Sequence, residues 1–370
     1  MKKLILICLL FFSVTSFSWA TDPDTSYVQT FKNLFALKLF VVNPGFTYTI
    51  TPRNTDGFTA QQLKDARVLY NPYIPPSVGA AINIKGIGLS YAMQLGTNFW
   101  DTTHYAKSEY KQFAMNIYKI NFGFEGYYQD CRRFYYHFLG DNKLYRNYNS
   151  DIRAYQMGMN FILMPNGKRF SYNAAFNQNV IQKKSAGSFM FMFSLKFNEI
   201  KGDSLIPLSV RKYYEYQYTR NRNYAFLINP GYGFNLTKKD LYLSSAVLVG
   251  VGIQNQTYLM LTNNAYKISF PLCARGKLGI GYNGRVFYTG AFGNVDFMQT
   301  TVHQVKTQQI VYSYGVFAGI RFVKFTKTKG QIKQEDKRKR DAEKAAQKKK
   351  AEAEKAAKKK AKEDAKKKKK

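Results

Sequence analysis

Through most of the middle of this chain, apolar residues recur at every second position. Between 241 and 255, Leu241, Leu243, Val247, Val249, Val251 and Ile253 share one parity; Tyr242, Ser244, Ala246, Gly250, Gly252 and Gln254 share the other. Between 169 and 181, Phe170, Tyr172, Ala174, Phe176 and Val180 alternate with Arg169, Ser171, Asn173, Asn177 and Asn179. Segments 187–199 and 223–235 repeat the pattern. A strand turns successive side chains to opposite faces, so each segment has one apolar and one polar face. A soluble sandwich would alternate too, but three features point elsewhere. The segments often run well past the ordinary strand length of about five or six residues. Their polar parity is mostly Asn, Ser, Gly and Gln with isolated Arg or Lys, which suits a wet lumen. Their apolar parity gathers Tyr and Phe near segment ends, as an interfacial girdle requires. In lipid every backbone group must pair within the protein, so such a sheet has to close. The expected fold is all-β: a closed antiparallel transmembrane β-barrel.

Twelve crossings are predicted, within a range of ten to fourteen: 31–52, 62–71, 78–96, 105–136, 152–165, 169–182, 187–199, 221–236, 241–259, 263–282, 285–304 and 309–325. The parity changes at Lys85-Gly86, which reads as a bulge. An even count leaves both barrel ends on the periplasmic side. Turns 72–77, 183–186, 237–240 and 283–284 then face the periplasm, as does the long stretch 137–151. Loops 97–104 and 200–220 face outward. The last strand puts Tyr312, Tyr314, Val316, Ala318, Ile320 and Phe322 on one face.

Both ends of the chain differ from this middle. Lys2 and Lys3, the apolar run from Leu4 to Phe12 and Ser18-Trp19-Ala20 make a signal peptide over 1–20, cut after Ala20. Residues 21–30 are a short lead-in to a barrel over 31–325. Cys8 lies too early to be a lipid-attachment cysteine, and Cys131 and Cys273 are expected to stay unpaired. From 326 to 370 the chain is a Lys/Ala/Glu-rich basic tail, helical or disordered and placed in the periplasm. Its residues 327–370 hold 21 Lys+Arg against 8 Asp+Glu, with no aromatic residue. They carry much of the net charge of +33 of the 370-residue chain. No apolar stripe exists to dock such a helix. The tail either contacts anionic wall polymer or lipid phosphate, or only solubilises; an exported protein rarely meets nucleic acid. Aromatics at 16% argue against wholesale disorder, and no internal apolar run is long enough for a spanning helix.

Certain residues also carry a family resemblance. Arg169-Phe170-Ser171-Tyr172-Asn173-Ala174-Ala175-Phe176-Asn177-Gln178, continuing Gln182-Lys183-Lys184-Ser185-Ala186-Gly187-Ser188-Phe189, resembles the most recognisable stretch of a Bacteroidota outer-membrane family, domain of unknown function 4421. Tyr70-Asn71-Pro72, Gly86-Ile87-Gly88-Leu89-Ser90-Tyr91 and Asp203-Ser204-Leu205-Ile206-Pro207 are similar to its other landmarks. Its Gly-Lys-Thr appears here only as Ala106-Lys107-Ser108. The resemblance covers about 31–325, leaves the tail outside, and implies a Gram-negative outer-membrane barrel with no assigned activity, so no catalytic residue carries over.

The sequence offers little chemistry of its own. His104, His137 and His303 form no metal spacing with one another or with Cys. Asp101 and His104 sit in an outward loop with His303 at the same rim, the arrangement a rim hydrolase would use. Gly279-Ile280-Gly281-Tyr282-Asn283-Gly284 has glycine spacing without a following helix, so the phosphate-loop reading fails. Loop 200–220 and its exit interleave cations with aromatics: Arg211, Lys212, Tyr213, Tyr214, Tyr216, Tyr218, Arg220 and Arg222. Such a surface stacks sugars or binds lipopolysaccharide phosphates; the alternative is an ordinary aromatic girdle with snorkelling cations. No cofactor, metal or catalytic residue is assigned, and no enzyme activity. The main expectation is a structural or partner-binding outer-membrane barrel whose tail contacts the periplasm, peptidoglycan or a periplasmic protein. A small channel for ions or solutes is the alternative, and an outer-rim hydrolase the remote one.

Overall fold

The computed structural model describes residues 22–31, 34–53, 57–95, 108–138, 147–260, 264–302 and 305–322. The leader, the tail, Asp101, His104 and His303 lie outside the described residues.

Twelve strands close into one antiparallel ring. In ring order they are β2 (Phe35–Pro52), β4 (Ser77–Ile84), β5 (Ile87–Gln94), β6 (Glu109–Tyr118), β7 (Phe122–Phe138) and β8 (Asn147–Leu163). Then follow β10 (Ala186–Lys201), β11 (Tyr218–Lys238), β12 (Leu241–Met260), β14 (Leu272–Asn283), β15 (Phe287–Val302) and β16 (Val305–Phe322), which pairs back onto β2. Closure runs from Phe322↔Phe35 to Val305↔Pro52, so no strand of the ring has a free edge along its length there. The alternation read in the sequence is the cause. On β12, Leu241, Leu243, Val247, Val249, Val251 and Ile253 are 47% to 61% exposed, while Tyr242, Ser244, Ala246, Leu248 and Gln254 are buried inside. An apolar exterior of this extent around a polar interior is a lipid-facing surface, and the fold is a transmembrane β-barrel.

Short turns mark one end of the barrel, called the turn end. Ile84↔Ile87 is closed by Lys85-Gly86, with φ of 52° and 93°. Two positive φ values make a type I′ hairpin turn, so the parity change read as a bulge is a full reversal. Lys239-Asp240 closes Lys238↔Leu241 as another two-residue turn, with Lys239 alone at positive φ, 57°. The other end, the loop end, carries the longer connections. There α1 (Ala60–Ala66), capped by Thr59, leads into β3 (Val68–Asn71).

Strand β3 changes the ring. It pairs with Tyr48–Ile50 of β2 on one side and with Tyr135–Phe138 of β7 on the other. At the loop end it stands alone where β4, β5 and β6 have already ended. β13 (Asn264–Ser269) and β14 keep one register on β12 through Phe270-Pro271, so they are one crossing interrupted at a residue with no N–H.

Several crossings differ from expectation. Segment 62–71 is α1 and β3, not a crossing. Segments 78–96 and 105–136 are each a hairpin, β4–β5 and β6–β7. Segment 169–182 crosses nothing. It holds α2 (Tyr172–Phe176) and β9 (Ile181–Gln182), whose partner is β1 (Val28–Gln29), outside the ring. Two missed reversals and two false crossings cancel, which is why twelve is right. Turn 72–77 lies at the loop end, where Ser77 pairs with Val42, and so do the described ends of the stretch 137–151, where Tyr136 pairs with Asn147, rather than at the end assigned to them above; 139–146 lie outside the described residues.

Candidate functional site: a polar lumen sealed at both ends

Inward parity lines a cavity of about 280 Å³ with Gln129, Gln156, Asn160, Asn198, Asn294 and Gln309, plus charged groups from five strands. Glu125 of β7 is the hub. Its carboxylate accepts from Lys277 Nζ at 2.7 Å, Arg275 Nη1 at 3.4 Å, Asn160 Nδ2 at 3.1 Å, Tyr118 OH at 2.5 Å and Tyr172 OH at 3.1 Å. Arg275 also donates to both oxygens of Asp296, at 2.5 and 3.0 Å, and Lys196 Nζ lies 3.9 Å from Asp296. Buried charges persist where each is paired and hydrogen-bonded, and these are. Lys38 lines the same cavity with its ammonium 5.2 Å from the Phe317 ring centre, and no carboxylate pairs with it among the described residues. The cavity thus has four cations against two carboxylates. Oδ1 of Asn160 and of Asn198 is buried with no protein donor, so the space is built to hold water. Cys273 Sγ donates to Asn229 Oδ1 on this wall, and both Cys131 and Cys273 are free and buried.

The turn end is closed by residues 164–185, folded back into the barrel. Phe170 is fully buried, and a Cβ on Gly233 would come within 2.9 Å of its ring. Ser171 caps α2 through Ala174 N, and a Cβ on Gly279 would meet Ala175 O at 3.2 Å. Glycine at these wall positions is what lets the helix approach. Beyond α2 the contacts are polar. Asn177 Nδ2 donates to Asn116 at 2.9 Å and Gln178 Nε2 to Tyr242 OH at 3.1 Å. Arg321, the largest fully buried side chain, donates from Nε to Gln178 O at 2.8 Å and also reaches Gly284 O and Asn283 Oδ1. Asn283 Nδ2 in turn holds Val180 O at 3.1 Å. The N-terminal lead-in clasps the outside of this seal: Asp24 N donates to Lys168 O at 3.0 Å, and Tyr27 lies between the Arg169 and Lys184 cations. The Ser26 hydroxyl and amide hold the Asp24 carboxyl below its usual range.

The loop end is closed by apolar packing. Phe46, Val68, Tyr70, Phe134, Ile152, Leu205, Ile206 and Val210 form one buried cluster that includes Cys131. Phe46 and Phe134 meet edge to face at 5.6 Å. Tyr70 OH donates to Leu205 O at 3.0 Å, and Tyr214 OH reaches Ile50 O at 3.1 Å and Ala66 O at 2.6 Å. Burial raises the Tyr214 phenol pKa.

The eight residues singled out in 211–222 do not form one surface. Tyr214 and Tyr218 are buried in the loop-end cluster, and Tyr213 packs on it beside Phe58. Arg211 turns back to the carbonyls of Tyr214 and Glu215. Lys212 lies over the Tyr213 ring at 5.0 Å, and Tyr216 is exposed. Only Arg220 and Arg222 share a face, the outer wall, where both approach Glu199, at 4.0 and 2.6 Å. Reading the sequence missed Glu125, Arg275, Asp296 and Arg321. The available signal was a charge on the inward parity of a lipid-crossing strand, as Arg275 and Lys277 are on β14.

The same stretches that resemble a family build the two seals: 169–189 the turn end, Tyr70 and 203–207 the loop end. Among curated proteins none matches the chain. Solved structures that are similar include outer membrane protease OmpT from Escherichia coli, at 6% identity, covering 80% of this chain and 100% of that one with a TM-score of 0.37. Ail, the attachment invasion locus protein of Yersinia pestis, is 9% identical over 77% and 99%, at 0.21. The translocator domain of autotransporter NalP from Neisseria meningitidis is 9% identical over 79% and 89%, at 0.28. Likenesses this distant carry no statement about activity. The family model described as a domain of unknown function, DUF4421, matches residues 22–322, and the chain belongs to that family.

Proposed function

We propose that this DUF4421 member is an integral outer-membrane protein that serves as a sealed structural or partner-binding barrel, with no catalytic step of its own. The observation that carries this reading is the double seal: a hydrogen-bonded segment fills the lumen at the turn end and an apolar cluster fills it at the loop end. A twelve-stranded ring has room for an open lumen or a filled one, and this one is occupied at both ends around a central cavity. Short turns and both termini of the ring share one end, which in such barrels is the periplasmic one. On this reading the basic tail, 326–370, belongs to the periplasm, where its excess of Lys and Arg would favour anionic wall polymer.

Single-channel recording in planar bilayers tests this, on the full chain and on a chain truncated after Phe325. Both are expected to be silent while heat-dependent gel mobility shows a folded barrel. Steady, ion-selective openings would reject the sealed reading. Co-purification of wall polymer with the full chain, and its loss on truncation, would support the tail contact. A second reading, a small channel closed at rest, rests on the cavity's four cations and two carboxylates. It requires release of 164–185 and predicts preference for anions once that segment is displaced.

A further inference from the structure

The outer wall toward the loop end is not uniform. Backbone pairing aligns Glu109 of β6, Arg132 of β7, Arg153 of β8, Lys201 of β10 and Arg220 of β11 in one cross-strand row, all on the outward parity. Four consecutive members are cations. Side chains directly opposite on neighbouring strands stand about 5 Å apart, and like charges there are destabilising.

The next row toward the turn end is Lys111, Asp130, Tyr155, Glu199 and Arg222. Its two acids are already engaged. Asp130 accepts from Arg153 at 2.8 Å on both oxygens and from Arg132 at 3.2 Å. Glu199 accepts from Arg222 at 2.6 Å, with Arg220 at 4.0 Å. Lys201, between Arg153 and Arg220, forms no ion pair with an acid among the described residues. The two rows together hold six cations and three carboxylates.

One row further on, the wall becomes Phe113, Tyr128, Met157, Phe197 and Tyr224, then Met115, Gly126, Met159, Leu195 and Phe226. This is the change from headgroup depth to hydrocarbon depth. Strands tilted by about 40° carry a row of three inter-strand gaps through about 9 Å of depth, so the cations sample the whole headgroup layer. The diametrically placed strands lack such a row. There Thr301, Lys306 and Thr51 align, with a single cation.

We propose that the Arg132–Arg153–Lys201–Arg220 row is a binding site for phosphate-bearing lipid headgroups in the leaflet around the loop end. Guanidinium groups take phosphate oxygens bidentately, the ammonium of Lys201 supplies a point charge between them, and the ligand offsets the cation excess that remains after Asp130, Glu199 and Glu109, the last 3.9 Å from Arg132, have taken their partners. The proposal rests on the membrane reading above, which insertion itself tests separately.

The test uses the full chain refolded into phosphatidylcholine vesicles, with and without phosphatidic acid, and follows thermal unfolding by loss of heat-dependent gel mobility. Correct insertion in phosphatidylcholine alone upholds the barrel reading whatever follows. Wild type is expected to unfold at a higher temperature with phosphatidic acid, and the rise to shrink at high salt. The double variant Lys201→Gln/Arg220→Gln leaves Arg153–Asp130 and Arg222–Glu199 in place and is expected to lose most of the rise; Lys201→Gln alone serves if the double variant folds poorly. Lys306→Gln is expected to keep all of it. No rise in wild type, or an equal rise in every variant, would overturn the site. An equal rise with a fatty acid in place of phosphatidic acid would show bare charge, and with inorganic phosphate a soluble ion; either overturns the headgroup assignment.

Discussion

The two ends of the barrel are closed by different balances of apolar packing and hydrogen bonding. At the loop end, Tyr70, Phe134, Leu205 and Ile206 exclude water by area, and the hydroxyls of Tyr70 and Tyr214 donate to backbone carbonyls. At the turn end, Met164, Phe170 and Tyr172 pack with Ile162, Met190 and Met192 in a smaller buried cluster, and past α2 closure depends on discrete donors: Asn177, Gln178, Asn283 and Arg321. A hydrogen bond can be exchanged for one to water at a net cost of about 1 kcal/mol, whereas separating packed aromatics forfeits their whole buried area. The turn-end seal is therefore the one that can open while the ring stays folded, and the loop-end seal is part of what keeps the ring folded.

The strongest way to break this contrast is to remove the polar seal. Replacing 169–182 with a short flexible turn is expected to convert a silent bilayer into a conducting one while heat-dependent gel mobility persists. Loss of the folded barrel instead would mean that this segment, too, is structural. Phe134→Ala, at 0% exposure in the loop-end cluster, is expected to cost about 3–5 kcal/mol in urea unfolding without conductance. Arg321→Ala strips the Gln178, Gly284 and Asn283 oxygens of their donor. About 2–3 kcal/mol of lost stability is expected, with brief, flickering openings that Phe134→Ala does not show. If the two substitutions gave the same electrical behaviour, the distinction between the seals would fail.

How far the sequence could be read follows the same division. Strands that face lipid on one side were legible, because lipid demands an unbroken apolar parity, as on β12 and β16. Segment 169–182 has the same parity for another reason: Phe170, Tyr172 and Ala174 face the barrel's own inner wall. Alternation reports that two faces differ and not what either touches. A five-residue helix is also too short to display its own period. The Lys85-Gly86 turn was legible in principle, since glycine beside a parity switch fits two positive φ values, but a bulge leaves a similar trace. The lumen network was hidden because Glu125 meets Arg275 and Lys277 only through ring closure, at separations of 150 and 152 residues, even though Arg275 and Asp296 are a direct cross-strand pair of the β14–β15 hairpin.

The sealed lumen has one practical consequence. Cys131 lies within the loop-end cluster, and Cys273 lies on the lumen wall beside Ala225 and Leu227, each 5% exposed. Neither thiol is open to bulk solvent while both ends are shut. The molecule thus carries two silent footprinting sites: a membrane-impermeant maleimide would mark Cys273 when the lumen opens from the turn end and Cys131 when the loop end yields. Opening becomes a chemical record, kept in mass, of which door moved.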